Sequence, residues 1–233
     1  MVIRLASLNL HCGLDHRGAP FSVKQAIAAL DTDVIVAQEN WRAHGSVSLA
    51  ASAAADCGYP SFTELDLVPD TPLADLEVVS GTAPDEKGAW GLAVLSRVPW
   101  TRHLTVPIGA APGDVVGERS AQVIEFPGLR IVNVHLTHRL LHGPAQLRRL
   151  LAVLRADVMP TVIAGDLNMC RPTVYLARGF RPAARGRTWP AHLPLAQLDH
   201  VLAGDGVRVT NAMVGPGVGS DHLPVRATIF PHS

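Results

Sequence analysis

The stretch VIAGDLNM, Val162–Met169, runs apolar residues up to an acid and sets an amide two residues beyond it. Val162, Ile163 and Ala164 suit a buried strand, whereas Gly165, Asp166 and Asn168 are turn formers. One reading is a strand that ends in a tight turn. The other is a strand that carries Asp166 to a cleft and turns Leu167 back into the core. Asn168 then lies on the same side as Asp166, because alternate residues of an extended chain share a face. The rest of the chain decides between them.

Other segments have the same build. VIRLASLNL alternates apolar and polar residues and predicts a first strand ending near Asn9. Ser22 caps a predicted helix with Val23, Ala26, Ile27 and Leu30 on one face. DVIVAQE, opened by Asp33, predicts a buried strand that ends at Gln38 and Glu39, and the alanine-rich Ser46–Cys57 a helix stopped by Gly58. From Tyr59 to Lys87 prolines and acids predict surface loop with one or two short strands. GLAVLSRVPW reads as a strand, and RSAQVIEF and LRIVNVHL as a hairpin turned at Pro127-Gly128. Pro144–Asp157, with Leu147, Leu150, Leu151 and Leu154, reads as a helix. TVIAGDLN, QLDHVLA, VRVTNAMV and PVRATIF complete the strands. With no repeat or linker, residues 1–233 predict a single domain of two packed sheets with helices outside.

Composition bounds the function. The 233 residues carry zero formal net charge, which argues against sequence-independent coating of DNA. Cys12, Cys57 and Cys170 are odd in number and lack CxxC spacing, so neither a zinc knuckle nor a disulfide framework is expected. Reduced thiols in a cytoplasmic protein are the simplest expectation. No signal peptide and no membrane span are expected either, since no apolar run approaches the ~18 residues that a span needs.

The polar residues that end the apolar runs share a chemistry. Asn9, Glu39, His135, Asp166 and Asn168 do so, with Asp199 in LAQLDHVLA and Asp221-His222 after GVGS. Carboxylates and amides at strand ends suit a hard divalent cation such as Mg²⁺; a zinc site would call for thiolates or a dense histidine cluster.

SLNLH, DVIVAQE, GLAVLSR, VNVHLTH, AGDLNM, LDHVLA and GSDHLPV occur in the order of the signature segments of the endonuclease/exonuclease/phosphatase superfamily, the deoxyribonuclease-I-like phosphohydrolases. The chain resembles that superfamily from about Ile3 to Ile229. The resemblance implies an α/β fold, a four-layer α-β-β-α sandwich with two packed mixed β-sheets, and Mg²⁺- or Mn²⁺-dependent cleavage of a phosphoester. It implies that Glu39 ligates the metal, that Asn9 helps position metal and phosphate, and that Asp221 lies near the metal. Asp166 would orient or deprotonate the attacking water, and Asn168 would hydrogen-bond the phosphate. His222 would contact the scissile phosphate and Asp199 would pair with it, while His135 would stabilise phosphate charge.

His138 and His142 follow His135, but no helix is expected before Pro144 to align them, and they are assigned to the surface or the substrate edge. Cys12 reads as a buried thiol. Thr188 and Trp189, in RTWPAHLP, are candidates for lining the cleft, with a core tryptophan as the favoured reading. Between Asp166 and Asp199 the chain has Arg171, Arg178, Arg181, Arg185 and Arg187 and no acid. Arg171 and Arg178 are candidates for holding an anionic substrate; a solvated arginine-rich loop is the competing reading. The resemblance implies a phosphoester substrate, either a small molecule (a phosphorylated metabolite or lipid headgroup) or a nucleic acid. Diester hydrolysis is favoured over monoester hydrolysis. A nuclease and a catalytically inactive phosphate-binding module are the alternatives, and no stable membrane insertion is expected.

Overall fold

Strands with one apolar face toward a partner sheet and the other toward helices dictate the architecture of the computed structural model, which describes residues 1–76 and 85–231. In β1 (Ile3–Asn9), Ile3 and Leu5 enter the core between the sheets, while Ala6 and Leu8 face outward. In β2 (Val34–Ala43), Val34 and Val36 face in and Ile35 and Ala37 face out. The remaining strands are β3 (Ser61–Pro72), β4 (Lys87–Ser96), β5 (Arg102–Ala110), β6 (Glu118–Phe126), β7 (Leu129–His135), β8 (Thr161–Asp166), β9 (Phe180–Pro182), β10 (Asp199–Gly204), β11 (Val207–Val214) and β12 (Val225–Pro231).

They form two six-stranded sheets, ordered β11-β12-β1-β2-β4-β3 and β5-β6-β7-β8-β10-β9. Each is mixed: β1 pairs parallel with β2, and β7 with β8, while the other pairings are antiparallel. A helix follows the first strand of each parallel pair, as a parallel crossover requires. Helices α1 (Val23–Leu30) and α2 (Leu49–Asp56) cover the first sheet through Val23, Ile27, Leu30, Ala50 and Ala53. Helix α3 (His142–Leu154) covers the second through Leu147, Leu150, Leu151 and Leu154. A single turn, α4 (Arg171–Val174), follows β8. The fold is an α/β sandwich of packed mixed sheets.

Ser22 and Ser48 accept the backbone N–H bonds that start α1 and α2. The second helix therefore begins at Leu49, after its cap, three residues beyond the predicted start. The Tyr59–Lys87 expectation needs correction. Ser61–Pro72 is one twelve-residue edge strand, half exposed, and its acids Glu64 and Asp66 pair with Arg42 of β2. Prolines are tolerated on such an edge. Residues 77–84 of that stretch lie outside the described residues. Strand β5, which the sequence reading passed over, forms the other sheet's edge, with outward residues whose polarity hides its alternation.

Toward one end of the sandwich the inward faces change character. Ser7 and Asn9 succeed Ile3 and Leu5; Gln38 succeeds Val36; Asn133 and His135 succeed Ile131; Asp166 succeeds Ala164. Across the sheets, Gln38 Nε2 donates to Asn133 Oδ1 at 2.7 Å, and Asn133 Nδ2 lies 3.0 Å from the carbonyls of Ala37 and Ala93. All four residues are buried, so a missing partner leaves polar groups that water cannot reach. Asn133→Ala is expected to destabilise the protein by about 3 kcal/mol. Urea unfolding would show this as a lower midpoint at unchanged slope; a midpoint equal to wild type would mean the network does not hold the sheets.

Candidate active site

Beyond this polar layer lies a cleft of about 530 Å³. Register brings its residues together. His135 lies opposite Asp166 in the β7–β8 pairing, and Asp199 lies opposite Asp166 in the β8–β10 pairing. Gly165 is required between them, because a Cβ there would collide with the Val134 carbonyl of the adjacent strand. Glu39 needs a different device. In a regular strand Gln38 and Glu39 would point to opposite faces. A β-bulge between Ala37 and Asn40, with Glu39 at φ 53°, turns both toward the space between the sheets.

Asn9 Nδ2 donates to Glu39 Oε1 at 2.8 Å and to Asp166 Oδ2 at 3.2 Å, bridging carboxylates from the two sheets. Asn9 Oδ1 accepts the His11 N–H, and the Asn9 carbonyl accepts the Ser220 hydroxyl. Asp166 Oδ1 accepts the Asn168 N–H at 2.8 Å. Asp166 Oδ2 also lies 3.6 Å from His135 Nε2 and 3.9 Å from His222 Nε2. Asn168 adopts φ 49°, and its side-chain amide donates to the Leu136 carbonyl. Leu167 is fully buried. His222 Nδ1 contacts Asp199 Oδ2 at 2.8 Å. Asp221 faces the cleft, accepting from Trp189 Nε1 at 3.2 Å and lying 3.5 Å from His11 Nδ1.

Burial and neighbours set the charges. Burial pushes the Glu39 carboxyl up to about 7, with Asp221 adding to the rise and His11 and the Asn9 hydrogen bond opposing it. Burial, reinforced by Arg119, drives His135 down to about 3, so this imidazole is neutral. Burial also disfavours charge on His222, but Asp199, by proximity and hydrogen bond, outweighs it and holds this imidazole well above its usual range. Glu39, His135 and Asp166 offer donor atoms within 4.8 Å of one another, as do Asp166, Asp199 and His222. Glu39 Oε2 is buried with no hydrogen-bond partner.

Several lining residues escaped the sequence reading. His11, held by the Leu14 carbonyl, lines the cleft at the end of the SLNLH segment. Arg119 binds both oxygens of Asp114, donates to the His135 carbonyl and lies over the Trp90 ring. Nothing in the loop that holds Asp114 signals that pair. Trp189 is a correction: it is 39% exposed and walls the cleft, while the buried indole beneath His135 belongs to Trp90. His138 also lines the cleft, and α3 begins at His142, too late to align the two histidines on one helix. Cys12 is buried, and desolvation raises its thiol well above the usual range. Arg171 and Arg178 do not line this cleft; Arg178 borders a separate hollow beside Phe180 and Gly206.

A sequence model of the Endonuclease/Exonuclease/phosphatase family matches residues 6–222. The chain belongs to that family. Solved structures share its fold. An endonuclease/exonuclease/phosphatase from Beutenbergia cavernae DSM 12333 is 20% identical, with a TM-score of 0.74 over 100% of this chain and 72% of that one. Another, from Bacteroides vulgatus, is 14% identical, with a TM-score of 0.72 over 100% of both chains. The human Nocturnin catalytic domain with bound sulfate is 17% identical, with a TM-score of 0.67 over 99% of this chain and 94% of that one. No curated protein matches the chain in sequence.

The His222–Asp199 pairing of this family member has a signed consequence for pH. A histidine whose folded-state pKa is raised contributes stability that is fully present below its unfolded value, about 6.5, and lost as pH rises through the folded value. The melting-temperature gap between wild type and Asp199→Asn, measured in chelator, should therefore be widest near pH 6 and close at alkaline pH. A gap that widens with rising pH would contradict the pairing.

Proposed function

We propose that this protein is a divalent-metal-dependent phosphoesterase that cleaves a phosphodiester by in-line attack of water. The observation that carries the proposal is the position of Asp166 Oδ2, within 3.9 Å of Asn9, His135 and His222 in an open cleft.

The residues fit a hard cation. Glu39 offers a buried oxygen with no hydrogen-bond donor, an arrangement that is costly unless something positive meets it. Glu39 and Asp221 would hold Mg²⁺ or Mn²⁺, with water and substrate oxygens completing the shell. Asn9 acts on the ligand set rather than in it, because its Nδ2 is turned to the carboxylates and its Oδ1 to His11. A divalent ion held by these residues would supply positive charge to offset charge developing on the phosphate oxygens.

The remaining work falls to the chain. Asp166 accepts the proton of the attacking water through Oδ2, while the Asn168 N–H fixes its other oxygen. Asp199 keeps His222 protonated and aims Nε2–H at a phosphate oxygen. His135, kept neutral, places Nε2 toward the same centre without adding a charge. Val115, Leu140, Pro144 and Met169 make part of the cleft apolar, and Leu140 is 90% exposed at its rim. That favours a substrate with an apolar or aromatic portion beside its phosphate.

The test is hydrolysis of bis-p-nitrophenyl phosphate and p-nitrophenyl phosphate after chelation and re-addition of Mg²⁺ or Mn²⁺. Wild type should turn over the diester faster. His222→Ala and Asp166→Asn should each lose at least ~100-fold in kcat, as expected for removal of a proton-transfer or charge-stabilising group. Glu39→Gln should first raise the metal concentration needed for half-maximal rate. Absence of metal-dependent turnover by wild type on both esters, with phosphate binding retained, would leave a binding module with this fold.

A further inference from the structure

The arginines after Asp166 gather in a groove of their own. Arg171, Tyr175, Arg185, Arg187 and Gln197 line a hollow of about 430 Å³ on the other side of α4 from the cleft. Cys170 and Thr173 face the cleft, whereas Arg171 and Tyr175 face the groove, so one short helix forms the ridge between them. On the opposite wall Leu198 and Trp189 border the cleft while Gln197 and Arg187 border the groove. The two hollows thus adjoin, separated by about one helix diameter, ~10 Å.

Among the described residues the arginines of this groove meet no carboxylate: Arg171 donates to the backbone carbonyls of Ala184 and Pro182, and Arg187 to that of Pro194. Arg4, Arg42, Arg97, Arg119 and Arg130 each meet a carboxylate. Among the described residues no carboxylate pairs with Arg171, Arg185 or Arg187, and the sequence from Leu167 to Leu198 contains no acid. Arg171 is held in place: its Nη1 donates to the Ala184 carbonyl at 2.5 Å and its Nε to the Tyr175 hydroxyl at 3.3 Å. Arg185 and Arg187 are exposed on either side of Gly186, where a Cβ would strike Val214. Guanidinium groups brought together without counter-charge repel one another, and a phosphate relieves that repulsion through paired hydrogen bonds.

We propose that this groove is a second anion subsite, holding a phosphate that the substrate carries beyond the scissile one. The proposal rests on the phosphoesterase reading of the adjoining cleft and narrows its substrates to molecules with at least two phosphates. A nucleic-acid strand and a small diphosphate share that chemistry, and Tyr175, 56% exposed beside Arg171, adds an aromatic face for a base.

The test uses R185Q/R187Q, both exposed and outside the catalytic cleft, with an unchanged melting temperature as the folding control. Binding of fluorescein-labelled decathymidylate is read by anisotropy in chelator, with ADP as unlabelled competitor, and bis-p-nitrophenyl phosphate hydrolysis is read with metal. The double variant should bind at least one probe roughly tenfold more weakly and hydrolyse the single-phosphate diester at the wild-type rate. With the oligonucleotide, the slope of log affinity against log salt should fall by ~0.7, as expected for one phosphate of a single strand no longer neutralised. Weakening confined to the oligonucleotide identifies a strand; weakening of ADP as well identifies a diphosphate group. If neither probe loses affinity, or neither binds wild type, the subsite is overturned. Intact, arginine-dependent binding with no hydrolysis by wild type would instead sink the catalytic reading and leave the subsite standing.

Discussion

The amide of Asn9 holds two buried carboxylates from different sheets within hydrogen-bonding distance of one nitrogen. Burial and mutual repulsion both oppose that arrangement. It persists because every polar atom of the Asn9 side chain is committed: Nδ2 to Glu39 and Asp166, Oδ1 to the His11 N–H. The Asn9 carbonyl in turn anchors Ser220, whose hydroxyl also accepts the His222 N–H at 3.2 Å. One residue at the end of β1 thereby fixes the distance between the sheets at the cleft and the start of the segment that bears His222.

The cleft lies at this end because the inner faces of both sheets run from apolar to polar in the same direction. Ile3 and Leu5, Val34 and Val36, and Val162 and Ala164 exclude water from the middle of the sandwich. Gln38 and Asn133 then form a neutral, hydrogen-bonded layer before the charged residues begin. A neutral layer satisfies its own polar atoms without ionisation, so the carboxylates beyond it can face the cleft while the apolar core behind them stays dry.

Much of this was legible in the sequence. Alternation placed β1, and apolar, β-rich runs placed β2, β7 and β8, whose inward faces end in polar residues: Asn9, Gln38 with Glu39, His135 and Asp166. Helix α3 was written in its leucines, although it starts at His142 instead of Pro144. What was not legible depended on geometry without a local signature. The bulge that turns Glu39 inward follows no periodicity. The long edge strand β3 is masked by its prolines and acids, because an edge exposes one side of its backbone and tolerates both. Arg119 joins the site through Asp114 in a neighbouring loop, and Trp189 turns outward because its indole N–H meets Asp221. Both are long-range choices of partner.

The two histidines beside Asp166 show how similar burial yields opposite chemistry. His135 and His222 are both shielded from solvent, which alone would strip the charge from each. His135 has the Arg119 guanidinium nearby, which reinforces that loss and keeps a neutral ring beside two acids. His222 has Asp199 at 2.8 Å, which reverses it. An anionic phosphate entering between them would meet a neutral imidazole on the β7 side and a cationic one on the β10 side. For such an anion that asymmetry would favour one orientation over its reverse, because the oxygen with most charge would be drawn to His222. The difference between the two rings comes from the neighbour each one meets, Arg119 beside His135 and Asp199 beside His222.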